Sequence, residues 1–354
     1  MPDDTAASPR VGKRTKRRLL GGGFAVAVIV AVFVFFLPRI ADYRQVWDVL
    51  KGVSAEDAVL LAGATLLNVV TFAPPWMASL PGLGFRQAFV MTQASTALSI
   101  VSPAGAAVGM AGSYSMLRGW GFAAGPVGLA VAVTGIWNQF ANLTFPIVGL
   151  ALLTSVNEKH PALQTAAVIA VIVLAVSLGS FALALSSGRR ARQIGDLAAR
   201  LVDGLKRLVR RKPVTWDGES LADFRRRTLV LLRRRWHVIT VSTLVGHLTV
   251  FLVLLACLHA VGVGTDQVTV IEAFAAWSLV RILGALPITP AGLGVVELGL
   301  SGALVAFGAS NADAVTATLL YRALTVLPTL ALGLLCAATW RTHHPGESLE
   351  LETE

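Results

Sequence analysis

Six stretches of this chain are apolar for long enough to cross, or nearly cross, a bilayer, and that leaves few folds open to it. A helical span needs about twenty residues at a rise of about 1.5 Å each. Leu20–Leu37, Ala58–Ala73, Val127–Leu153, Ala162–Leu185, Val238–Val261 and Ala314–Ala338 are the candidates. Of 354 residues, 55% are hydrophobic and 14% charged, so a water-soluble fold would expose large apolar patches. In hydrocarbon every backbone N–H and C=O has to be bonded within the protein, which selects helices for such runs. The expected class is an all-α integral membrane protein, a polytopic helix bundle.

The first run follows Lys13, Arg14, Lys16, Arg17 and Arg18, as a signal peptide would. Its apolar core is long, ends in FFLPRI and is followed by no small-x-small site, so a retained first helix is expected. Cys257 and Cys336 both sit inside apolar runs and read as small hydrophobes rather than a disulfide or metal pair.

The net charge of +10 is concentrated in two places, residues 1–19 and 186–236. The second holds runs such as Arg225, Arg226, Arg227 and Arg233, Arg234, Arg235. The positive-inside rule puts both in the cytoplasm, and an even number of crossings between them agrees. The same parity puts the 341–354 tail inside, in a cytoplasmic (inner) membrane. The segments expected are thus a tail (1–19), a first membrane half (20–185), a basic amphipathic segment (186–236), a second half (237–340) and a tail (341–354). Within 186–236 a second helix is expected to start at Ser220, with Asp223 as its capping partner. This segment suits an anionic membrane surface, or it is a solvated connector whose arginines set topology. No nucleic-acid motif accompanies the charge, and no nucleic-acid partner is expected.

Two apolar regions, 87–117 and 270–307, are interrupted, and in parallel ways. QAF (Gln87–Phe89) leads to SPAG (Ser102–Gly105), and EAF (Glu272–Phe274) leads to TPAG (Thr289–Gly292). Each is followed by a small-residue helix and then a long span with an internal proline, Pro146 or Pro328. The ordered match suggests a duplication. With the topology above, the halves become an inverted repeat with two broken, re-entrant helix hairpins entering from opposite faces. PITPAGLG (Pro287–Gly294) cannot continue a helix smoothly, because proline lacks a donor and glycine permits unusual dihedrals. Such a break is tolerated inside protein or along a wet cavity, where the next helix start suits a phosphate. A proline-kinked span without a ligand is the plainer reading.

Charge sharpens the second region. Arg281 and Glu297 are each eight residues from Thr289, on opposite limbs and at similar depth, about 12 Å along either helix. Arg322 lies nine residues past Asp313, also about 13 Å into a span. Charges at such depth are rarely left unpaired. The three read as one ion pair plus a spare positive charge, a seat for an anionic head group or a structural network. Met110 takes Glu297's place in the first region, whose neighbourhood is polar and uncharged: Thr92, Gln93, Ser95, Thr96, Ser99 and Ser102. Asn138 and Asn142, on one face of the next span, could with Ser102 and Gly105 line a polar pathway, or simply bond helices together. His247 and His259 read as packed or interfacial.

LPITPAGLGVVELGLSGALVAFG (Leu286–Gly308) and LLYRALTVLPTLALGLL (Leu319–Leu335) resemble the transmembrane domain of lysylphosphatidylglycerol synthases and the stand-alone, flippase-like proteins related to it. The family pattern Pro-x-x-Pro-Gly-Gly-Leu-Gly-x-x-Glu has Ala291 here in place of its first glycine. The first half matches only through SPAG and YSMLRGWG (Tyr114–Gly121). The resemblance implies inverted repeats that move lipids between leaflets. It also implies an aminoacyl-transferase domain in the full-length synthases, which is not expected here. The substrate-binding residues expected are Arg281, Glu297, Arg322, Tyr321, Thr289, Gly292 and Gly294, with a phospholipid or lipid-linked substrate as partner. No cofactor, metal or catalytic constellation is expected, and no nucleotide-binding loop is present. A membrane enzyme acting on polyprenyl-phosphate sugars or phospholipids, and a non-catalytic scaffold, remain the alternatives; oligomeric state is not encoded legibly.

Overall fold

The computed structural model describes residues 51–102, 105–155, 161–189, 218–285, 292 and 294–340. All regular structure among them is helical: α1 (Ala55–Val70), α2 (Pro74–Ser79), α3 (Phe85–Val101), α4 (Gly105–Gly119), α5 (Ala124–Ser155), α6 (Pro161–Ser186), α7 (Gly218–Val261), α8 (Val270–Ala285), α9 (Val295–Phe307) and α10 (Asn311–Thr339). Among the described residues four stretches, Ala55–Ser79, Ala124–Leu153, Ala222–Val261 and Asn311–Thr339, are long and apolar enough to cross a membrane. The expected first helix Leu20–Leu37, both tails and the arginines of 190–217 lie outside the described residues.

Polar side chains start these helices where the sequence turns apolar. Ser54 accepts from the Asp57 amide at 3.1 Å, and Ser310 does the same for Asp313 at 3.1 Å. Thr269 and Glu272 form a reciprocal box, with the Thr269 amide donating to the Glu272 carboxylate at 2.7 Å. Gln87 accepts from the Gly84 amide at 3.3 Å. The shared QAF and EAF signals are therefore third-position capping residues at the starts of α3 and α8.

From those starts the same order of elements runs twice. Helices α3, α4 and α5 have 17, 15 and 32 residues, and α8, α9 and α10 have 16, 13 and 29. The two short helices of each set pack against each other across their break. Each set also leans on the other's long helix, α3 on α10 and α8 on α5. Glycine makes both crossings close. A Cβ on Gly333 of α10 would run into the Gln93 carbonyl oxygen of α3. One on Gly149 of α5 would lie 3.1 Å from the Ala275 Cα of α8. Small residues of this kind let backbones approach where lipid gives apolar side chains no reason to leave it.

Helix α7 runs unbroken for 44 residues and carries on through Trp236 from the basic stretch into the apolar one. Gly218 and Glu219 are already helical, which places Ser220 inside the first turn rather than at its cap. Asp223 pairs with Arg226 at 2.9 Å instead. Val238, Val241 and Val245 are exposed at helical spacing on α7, as are Val168, Ile172 and Val176 on α6, and these faces meet lipid. Inside, Trp277 is 1% exposed and packs among Phe145, Phe251 and Phe274 with ring centroids 5.4–5.6 Å away. Cys257 and Cys336 are free and buried.

Candidate functional site

Gly292 and Gly294 have φ of +67° and +78°, the left-handed region that any side chain strains to adopt. Gly292 also lies against α8, where a Cβ would meet the Gly284 Cα at 3.2 Å, and against Val296 of α9, whose Cγ2 it would meet at 2.9 Å. The chain thus folds back closely onto α8 before α9 begins. Gly292→Ala is expected to lower stability by at least about 1–2 kcal/mol, from the dihedral alone, in thermal unfolding of the detergent-solubilised protein. Leu286–Ala291 and Leu293, and with them the expected ligand Thr289, lie outside the described residues.

Glu297, in the first turn of α9, holds two partners. One carboxylate oxygen accepts from the Gly294 amide at 2.8 Å, and the other from Arg322 Nε at 2.7 Å. Both side chains are shielded, at 16% and 9% exposure. The carboxylate therefore fixes the start of α9 and ties it to the middle of α10.

Arg281 takes a different set of partners. Its Nε and Nη2 donate to Asn142 Oδ1 at 3.2 and 2.7 Å, and Nη2 also reaches His247 Nδ1 at 2.6 Å. Its guanidinium carbon stands 4.8 Å from the Trp277 ring centroid. Because His247 Nδ1 accepts, Nε2 carries the proton and donates to Asn138 Oδ1 at 3.0 Å. Asn138 and Asn142 are thus bound into a chain of polar groups from α5, α7 and α8. No carboxylate pairs with Arg281 among the described residues. The expected pair is Glu297 with Arg322, and the spare charge is Arg281.

These groups border a cavity of about 260 Å³ between α5, α8, α9 and α10. Arg281, Arg322, Tyr321 and Asn142 supply its polar wall, and Trp277, Val280, Val296 and Leu300 the apolar one. Tyr321 is within electrostatic reach of both guanidinium groups. Of the expected binding residues, Arg281, Arg322 and Tyr321 line the cavity; Glu297, Gly292 and Gly294 do not, although Glu297 holds Arg322, which does. Ser102 and Gly105 do not join it: Ser102 ends α3 and Gly105 starts α4, packed against the Ser99 carbonyl. Thr92 and Ser95 donate back to carbonyls of their own helix at 2.7 and 3.2 Å. From the sequence, His247 reads as packed or interfacial and Trp277 is not singled out; their signal was a polar ring and an indole in apolar helices facing an arginine with no carboxylate partner among the described residues.

A comparison with protein families matches residues 23–333 to the lysylphosphatidylglycerol synthase TM region. No curated protein matches the chain. The match covers most of the 354 residues and includes both helix pairs, α3–α4 and α8–α9, and every residue that lines the cavity. The chain therefore belongs to the lysylphosphatidylglycerol synthase transmembrane-region family, a multi-pass membrane family connected with lipid handling.

Proposed function

We propose that this protein is a lipid flippase or transporter, moving an anionic phospholipid or lipid-linked substrate between leaflets of the cytoplasmic membrane with its basic end inside. The observation that carries the reading is Arg281, a guanidinium within the bundle that borders a cavity and bonds only neutral acceptors. With Arg322 neutralised by Glu297, one net positive charge is left at the cavity, and a phosphate would complete it. Arg281 and the Tyr321 hydroxyl hold the phosphate in this scheme, while Glu297 keeps Arg322 oriented. The volume suits a head group and not a whole lipid, so the acyl chains stay in the bilayer. The outer face of the hairpin supports this, with Leu298 77% and Leu283 42% exposed toward lipid.

Two features support alternating access by inverted halves: the repeated order of elements and the reciprocal packing of each hairpin on the other set's long helix. In this reading the hairpins are re-entrant and rock against α5 and α10. The test is translocation of head-group-labelled phosphatidylglycerol in vesicles reconstituted with the full chain. Arg281→Gln is expected to slow translocation at least about tenfold, in keeping with the loss of one charge-assisted phosphate contact. Arg281→Lys is expected to keep part of the rate. Wild-type vesicles no faster than protein-free ones, or an Arg281→Gln rate equal to wild type, would overturn the proposal.

A further inference from the structure

A second cavity, of about 620 Å³, lies far from the first, on the basic half of α7. Its lining from α7 is Arg226, Arg227, Val230, Leu231, Arg234 and Arg235. These positions recur at helical spacing and form one face, with two arginine pairs about 12 Å apart along the axis and an apolar turn between them. Opposite them stand Pro81, after α2, and Pro126 and Leu129 in the first turns of α5. Arg226 is held by Asp223. Among the described residues no carboxylate pairs with Arg227, Arg234 or Arg235, and none lines the cavity. Arg227 also overlies the start of α5, where a Cβ on Gly125 would meet its Nη1 at 2.8 Å. A guanidinium and the positive end of a helix dipole repel unless an anion lies between them.

The level of this cavity along α7 follows from its neighbours. Trp236 is 57% exposed and directly precedes the lipid-facing stripe of Val238, Val241 and Val245. An exposed tryptophan at the end of an apolar stripe marks the bilayer interface. Arg234 and Arg235 adjoin it, and Arg226 and Arg227 stand about 12 Å beyond them, away from the stripe. The cavity is therefore at head-group height, acidic in preference and apolar at its floor. A soluble anion would satisfy the arginines and leave Val230, 57% exposed, facing water above the Leu129 and Leu231 floor; a lipid satisfies both.

We propose that this cavity is a second lipid site, which holds the acidic head group of an anionic phospholipid from the adjacent leaflet and lays its upper acyl chain along Val230 and Leu231. It uses none of the residues of the central cavity and stands whether or not that cavity carries cargo.

The experiment is native mass spectrometry of the full chain in detergent, titrated with phosphatidylglycerol, phosphatidylcholine or inorganic phosphate. It is run on the Arg281→Gln background so that the central site does not contribute. Each arginine near an anionic head group is worth roughly fivefold in affinity, so Arg227→Gln with Arg234→Gln and Arg235→Gln is expected to weaken phosphatidylglycerol binding well over tenfold. Val230→Trp keeps every charge and fills the cavity from its exposed side, and the same loss is expected if the triple variant does not fold. Excess inorganic phosphate is expected to leave the lipid bound. Binding unchanged in the folded variants, phosphatidylcholine held as tightly as phosphatidylglycerol, or displacement by phosphate would overturn the site. Failure of translocation in Arg281→Gln vesicles bears only on the central cavity.

Discussion

Glu297→Ala is expected to lower stability by about 3–5 kcal/mol, the usual cost of removing one partner from a buried ion pair. Arg322 is 8% exposed, and its 2.7 Å contact with the carboxylate is the tie between α9 and α10. The same substitution removes the acceptor of the Gly294 amide, so the start of α9 loosens as well. Replacing both charges by apolar groups of similar size, Glu297→Leu with Arg322→Met, is expected to restore most of the loss. Thermal unfolding in detergent reads the stabilities, and the double variant separates two roles. If the pair orients a phosphate seat, the restored double variant stays defective in translocation. A double variant that is both stable and as fast as wild type would reduce the pair to a structural clamp.

That one acid and two arginines share a depth was legible from spacing, because distance from Thr289 and from Asp313 fixes depth along a helix. Depth does not fix azimuth. Nothing in the spacing says that Arg322 and not Arg281 takes the carboxylate, since that depends on how α8, α9 and α10 rotate when packed. The partners of Arg281 were less legible still. Asn142 and His247 lie 139 and 34 residues from it in sequence and reach it only through the packing of α5 and α7 on α8. The run through Trp236 shows a different limit. A sharp change from arginine to valine marks where water gives way to lipid, and a helix crosses that boundary without ending. The helix starts and the break between α8 and α9 were readable for the opposite reason. Proline and glycine at Pro287–Gly294, and capping residues at Gln87 and Glu272, act on local backbone and need no tertiary partner to be recognised.

Gly333→Leu is expected to cost at least about 3 kcal/mol, at the upper end of overpacking effects, because the obstacle is backbone and not a movable side chain. A Cβ at position 333 meets the Gln93 carbonyl and the Ala97 Cβ of α3. The helix α3 is also held from its other side, since the Gln93 side-chain Nε2 donates to the Val69 carbonyl of α1 at 2.8 Å. Gly302→Ala in α9 is the control. Nothing lies within 4 Å of a Cβ there, and alanine is worth up to about 1 kcal/mol over glycine inside a helix, so its melting point is expected to hold or rise. The consequence for function follows from geometry. Gly333 is eleven residues, about 17 Å, along α10 from Arg322, so an α10 levered off α3 also carries Tyr321 and Arg322 away from the cavity. Translocation in Gly333→Leu is therefore expected to fall with stability even though no cavity residue is changed. Equal melting points for Gly333→Leu and Gly302→Ala would mean that the α3–α10 crossing is not the close contact that sets the position of α10.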